Sequence, residues 1–151
     1  MYTKHEISRQ RQAFWTAFGQ YMKPVLSADG EQVNWVNYKT GIADLYFRMY
    51  AGHHNATIAI VCAQSDPDLQ QYYYQQLAAQ SLLLHQTLGE QWQWQPLTTD
   101  EFGKTISTVG TELRGVNIAL QQDWPQLIDF FKQRIMALDE FWSVARYSLR
   151  Q

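Results

Sequence analysis

Between Trp124 and Leu149, apolar residues return in alternating steps of four and three: Trp124, Ile128, Phe131, Ile135, Leu138, Trp142, Ala145 and Leu149. A seven-residue seam held through more than three heptads is the pattern of a helix with one apolar side. Leu127, Phe130 and Phe141 widen that side beyond a narrow coiled-coil seam. A stripe this wide has to be covered. The spacing therefore predicts a helix from Trp124 to about Ser148 that closes a core of sheet and helices. Asp123 to Gln126 supplies its capping signal, with Pro125 tolerated in the first turn. A homodimer through this helix, with Phe141 at the interface, is the alternative.

The rest of the chain supplies elements for it to cover. Thr3 to Glu6 is a capping box, a hydroxyl followed three residues later by Glu. Ile7, Phe14, Trp15, Phe18 and Met22 follow at helical spacing, so a helix is predicted from Lys4 to Met22, stopped before Pro24. Val25 to Glu31 is a loop with an Asp29-Gly30 turn. Three strands are expected next: Val33 to Tyr38, Ile42 to Tyr50 and Ala56 to Cys62. In the second, Leu45, Phe47 and Met49 share one face, and Asp44, Tyr46 and Arg48 the other. Asp66-Pro67 opens a helix of about 22 residues that ends at Gly89. Gln91 to Leu97 and Lys104 to Thr111 alternate as strands, and Glu112 to Leu120 is one more, bent at Gly110 or Gly115. The order α-β-β-β-α-β-β-(β)-α predicts a single α+β domain over residues 1–151. Its antiparallel-rich sheet of five or six strands packs with three main helices.

Aromatic residues make up 15% and apolar residues 46% of the chain, which excludes intrinsic disorder. A net charge of −2 gives no global field toward nucleic acid or an anionic membrane. The single cysteine excludes a disulfide framework. Cys62 sits in the longest apolar run, Ile58 to Ala63, and reads as a buried small hydrophobe. The run is far shorter than a membrane span. The first residues lack the apolar core of a secretory signal, so a cytoplasmic protein that does not engage a membrane is expected. The 19 Gln are dispersed and read as solvated helix surface.

Several residues carry chemistry worth weighing. His53-His54 reads as an exposed turn, because neighbouring strand positions face opposite ways and no metal-ligand spacing surrounds them. Asp44, Tyr46 and Arg48 share a strand face that is either a plain sheet surface or one wall of a polar cleft. Glu112 and Arg114, also two apart, belong to another strand of such a cleft. Trp35, Trp92, Trp94, Phe47 and Tyr50 read as core, with a ring-stacking groove as the alternative. Lys39, Arg48, Lys104 and Arg114 are interleaved with acids, so no basic track for nucleic acid forms.

The strings HEISRQRQAFWTAFGQYMKPV, NWVNYKTGIADLYFRM, DEFGKTISTVGTELRGVNI and DWPQLIDFFKQRIMALDEFW resemble the bacterial domain-of-unknown-function family numbered 4268, over essentially the whole chain. The resemblance implies no assigned activity. Related domains stand beside nuclease-like segments in longer proteins, which implies a nucleic-acid or defence setting. The order α-β-β-β-α-β is also similar to the core of the restriction-endonuclease-like fold. There an Asp begins the second core strand and a carboxylate-x-Lys lies on the third, together holding Mg²⁺ and positioning water. Asp44 falls near the first of these places, but TIAIVCA carries neither carboxylate nor Lys.

Two functions follow as expectations. The favoured one is a non-catalytic interaction or accessory domain with no metal or cofactor. Its binding candidates are Tyr46, Arg48, Arg114 and Trp35, and its partner is a protein, with nucleic acid as the weaker possibility. The alternative is a divergent Mg²⁺-dependent nuclease in which Asp44 and Glu112 converge as catalytic carboxylates.

Overall fold

A computed structural model describes residues 3–149. The chain runs α1 (Lys4–Met22), β1 (Leu45–Ala51), β2 (Asn55–Cys62), α2 (Pro67–Ala79), α3 (Ser81–Leu88), β3 (Gln93–Thr99), β4 (Thr105–Arg114), a 3₁₀ turn (Gln121–Asp123) and α4 (Trp124–Leu149). The four strands form one antiparallel sheet in the order β1-β2-β4-β3. The α+β architecture is as expected, with four strands in place of five or six. Predicted caps are in place: Thr3 and Glu6 bond reciprocally, Asp66 caps α2, and Gly89 takes the left-handed position after α3.

One face of the sheet carries the core. Register places Leu45, Phe47, Met49 and Ala51 of β1 beside Cys62, Ile60, Ile58 and Ala56 of β2. Val109 of β4 and Trp94 of β3 continue the layer. The helices pack on this inner face in a single cluster. α4 is its keel. Phe131, Ile135, Leu138, Trp142 and Leu149 are buried, as are Leu127, Phe130 and Phe141. The wide stripe is thus consumed inside the chain. Phe141, which a helix-mediated dimer could carry at its interface, is 1% exposed and packed in the core of the chain.

The differences from expectation have local causes. Val33 to Tyr38 is not a strand, because its polar groups are spent on long-range and turn contacts. The Trp35 indole N–H donates to the Val25 carbonyl at 2.9 Å, and Asn34 accepts the Asn37 amide. Trp35 is 3% exposed, so its ring belongs to the core and is withdrawn as a binding candidate. The long second helix breaks at Gln80, where the backbone leaves the helical region and α3 turns against α4. β4 runs unbroken through Gly110 and ends before Gly115, which has φ 78°. The irregularity falls in β3 instead, between Gln95 and Thr98, where Pro96 lacks a backbone donor. The Asp123 carboxylate accepts the Asn117 amide.

Residues 23–44 form a long connection without strand or helix, and α4 ties it down. Asp139, 5% exposed, accepts the Ala28 amide at 2.7 Å and the Tyr38 hydroxyl. Burial, then the bond to Asp139, pushes the Tyr38 phenol far above its ordinary range. The Trp142 indole donates to the Thr40 carbonyl at 2.8 Å, and Arg146 pairs with Asp29 at 3.0 Å. A buried carboxylate is tolerated only when its oxygens are occupied in this way.

Phe131→Ala is expected to lower stability by about 3–5 kcal/mol, the range for truncating a buried Phe. The unfolding midpoint of the wild type should stay constant over a hundredfold range of protein concentration; a midpoint that climbs would restore a dimer as the source of stability. Asp139→Ala takes the acceptor from the Ala28 amide and the part-buried Tyr38 hydroxyl and should cost about 1 kcal/mol. Its signature is faster hydrogen exchange at the Ala28 amide, with the α4 amides less affected.

Candidate functional site

β-alternation sends every second side chain away from the helices. The outer face therefore carries Tyr46, Arg48 and Tyr50 from β1, Thr57 and Ala59 from β2, and Thr108, Gly110 and Glu112 from β4. The pairs are Tyr46 with Val61 and Thr108, Arg48 with Ala59 and Gly110, and Tyr50 with Thr57 and Glu112. Gln93 and Gln95 of β3 complete the rows. No helical residue joins the small apolar cluster on this side, Val61, Ala63 and Ile106.

The result is a trough. Its floor is low because Gly110 faces Ala59: a Cβ at Gly110 would lie 2.7 Å from that of Ala59 and 2.8 Å from the Ile58 carbonyl. A groove of about 340 Å³ runs over this floor, between Gln93 and Gln95 on one side and Thr57 and Glu112 toward the other. Tyr46 and Tyr50 are exposed, at 37% and 47%, but neither lines the groove, and the Tyr50 ring lies 5.6 Å from the Arg11 guanidinium of α1. A wider cleft of about 590 Å³ lies between Ser27 and α4. Its one buried carboxylate, Asp139, already serves Ala28 and Tyr38.

Three of the expected residues do come together. Asp44 sits just before β1 with φ 61°, a left-handed conformation that Asp tolerates. The Tyr46 hydroxyl donates to Asp44 at 3.0 Å, and the Arg48 guanidinium lies 4.6 Å from the Tyr46 ring centroid. The hydrogen bond to Asp44 holds the Tyr46 phenol above its ordinary range. Because no strand precedes Leu45, Asp44 leads into the first strand rather than the second, and the strand order behind the restriction-endonuclease analogy is not reproduced.

Glu112 lies elsewhere. Its carboxylate accepts from Arg114 Nε at 2.9 Å and from Asn55 Nδ2 at 2.6 Å. Glu112 is level with Tyr50, so six residues of β1, about 20 Å at a strand rise of 3.3 Å, separate it from the level of Asp44. A shared Mg²⁺ would need both carboxylates within about 2 Å of one ion. Asp44 and Glu112 do not converge. Among the described residues no group of three or more His, Cys, Asp or Glu side chains is placed to hold a metal. His53 and His54 occupy the β1–β2 turn with ring centroids 6.4 Å apart. Burial pushes the Cys62 thiol up to about 12, where it is not nucleophilic near neutral pH.

The trough itself was half legible. Alternation marked Tyr46 and Arg48 as outward. The floor was not visible, because pairing Gly110 with Ala59 requires the register of two strands far apart in sequence. Gln93 and Gln95 read as plain solvated surface.

The sequence model of a protein family described as Domain of unknown function (DUF4268) matches residues 10–146. No curated protein and no solved structure matches the chain. No helix among the described residues is long and apolar enough to cross a membrane.

Glu112 should titrate below other exposed carboxylates, because the bond from Arg114, then that from Asn55, favours its charged form. A depressed folded-state pKa means that this contribution to stability is present above the ordinary carboxylate range and lost as pH falls through the lowered value. Side-chain carboxyl NMR should show the depression in the wild type and its relaxation toward an ordinary value in Arg114→Ala. An unchanged titration would discount the pair.

Proposed function

The chain belongs to the DUF4268 family, and we propose that this member is a non-catalytic interaction domain whose contact surface is the outer face of the sheet. One observation carries the reading: the helices all pack on the inner face, leaving a side-chain trough uncovered on the other. A face that served stability alone would be expected to be polar and even; this one sets aromatic and Arg side chains beside a Gly–Ala floor. Aromatic and Arg side chains are the types enriched where proteins meet.

A protein partner is favoured over nucleic acid. Arg48 and Arg114 are the cations of this face, and Asp44 and Glu112 offset them. Phosphate binding needs several uncompensated cations along a track. The nuclease alternative has no support in the separation of Asp44 and Glu112 described above.

Two measurements test the proposal. Purified protein should leave plasmid DNA and RNA intact with Mg²⁺ or Mn²⁺; cleavage abolished by Asp44→Ala but not by Asp129→Ala would install the nuclease. A photo-crosslinking amino acid at position 46 or 93, in the producing cell, should trap one recurring protein partner. The same group at the exposed Leu82 should not. Equal trapping from position 82, or none from the trough, would overturn the interaction reading.

A further inference from the structure

We propose that the cleft between the connection 23–44 and α4 is a binding site for an organic cation, an ammonium or guanidinium group carried on an apolar stem. The cleft shares no residue with the groove on the sheet, and the site does not depend on the outer face.

Shape comes first. The cleft holds about 590 Å³, within the range of small-molecule sites. Its walls come from two parts of the chain. Leu26 and Ala28 belong to the connection, and Met136, Ala137, Asp139 and Glu140 to α4. Helical spacing sets Met136, Ala137 and Glu140 on one side of α4. Leu26 is 56% exposed, an apolar wall left open to water. Met136 adds a side chain that adapts to the shape of what it meets.

Charge selects the ligand. Asp139 is a buried carboxylate, and buried charges are ordinarily paired. Its two partners, the Ala28 amide and the Tyr38 hydroxyl, are both neutral donors. A carboxylate has about four acceptor sites, so these bonds leave capacity unused. The Glu140 side chain makes no hydrogen bond or ion pair among the described residues. The cations of α4 are engaged elsewhere: Lys132 with Tyr21, Arg134 with Glu90 and Arg146 with Asp29. Two carboxylates thus line an apolar cleft without a counter-charge, and a cation on the ligand supplies it. Apolar surroundings make that pairing stronger than in open water.

Other ligands match less well. Mg²⁺ or Ca²⁺ needs more oxygen ligands than two carboxylates offer, and no third metal-binding side chain joins them among the described residues. An anion would meet two like charges. A neutral apolar molecule would leave Asp139 and Glu140 without a counter-charge.

The cation arrives either on a free amine or on a Lys or Arg of a peptide, and the probes separate these sources. Hexylammonium, hexanol, hexanoate and the end-capped peptide Leu-Lys-Leu are titrated into the full chain and followed by amide NMR. Saturating shifts are expected at the Ala28, Met136, Ala137 and Glu140 amides with hexylammonium or the peptide. Hexanol and hexanoate should bind at least tenfold more weakly than the better cationic probe. Affinity for that probe should fall at least fivefold in Glu140→Gln and at least tenfold in Ala137→Arg, which fills the cleft with a cation of its own. Glu101→Gln, an exposed acid in the β3–β4 turn, should change nothing. If Ala137→Arg lowers the melting midpoint, Leu26→Lys at the exposed wall replaces it. The wild-type midpoint should rise with the better cationic probe and not with hexanoate, because the ligand binds the folded state. Tighter binding of the peptide assigns the cation to a partner's side chain, and tighter binding of hexylammonium assigns it to a free amine. Equal affinity for hexanol, shifts centred away from the cleft, cleft variants without effect, or no saturation by either cationic probe would overturn the inference.

Discussion

Burial of the α4 stripe is the interaction on which the other elements depend. α4 touches α1, α2, α3, β1 and β2. Phe131 meets Phe14, Trp15 and Phe18 of α1. Trp142 meets Phe47 of β1 edge to face, with ring centroids 5.8 Å apart. Each large apolar side chain removed from water contributes about 1.5–3 kcal/mol before the cost of ordering the chain is counted. No other element is long enough to gather all of these contacts. The sheet has a core because α4 closes it, and the short helices have a place because α4 spans the sheet.

That arrangement uses only one face of the sheet. Among the described residues, four strands and four helices fill a single two-layer core, and none of these elements covers the other side. The outer residues then had to be compatible with water, and most are Thr, Gln, Tyr and Arg. The Gly110–Ala59 contact departs from this pattern: it brings β2 and β4 close and lowers the middle of the face. The same one-sidedness separates the two carboxylates that a nuclease would need, since Asp44 leads into β1 at one end of the sheet and Glu112 stands near the other end of β4.

Local chemistry was legible in the sequence wherever the signal was local. The capping box at Thr3 and Glu6, the Asp66-Pro67 start and the Gly89 stop all act within four residues. The alternation along β1 placed Tyr46 and Arg48 outward because a strand has a period of two. The reading failed where a short pattern had two uses. Val33 to Tyr38 has the composition of a strand, yet Trp35 and Tyr38 find their hydrogen-bond partners in Val25 and Asp139 rather than across a ladder. Ala78 to Ser81 contains neither Gly nor Pro, so nothing local announced that the helix would break where α3 turns onto α4.

By itself, the sequence determined the helical and extended periods, the caps, the apolar faces and the α+β class. These follow from backbone geometry and from burial of periodic side chains, which depend on neighbours a few residues away. Only the tertiary structure decided the rest. The bond from Tyr38 to Asp139 joins residues 101 apart, and the register that sets Gly110 against Ala59 joins two strands with two helices and a further strand between them. Such contacts form only once the core has brought distant segments together, because the free energy that selects them is shared among elements and is not carried by any one stretch of chain.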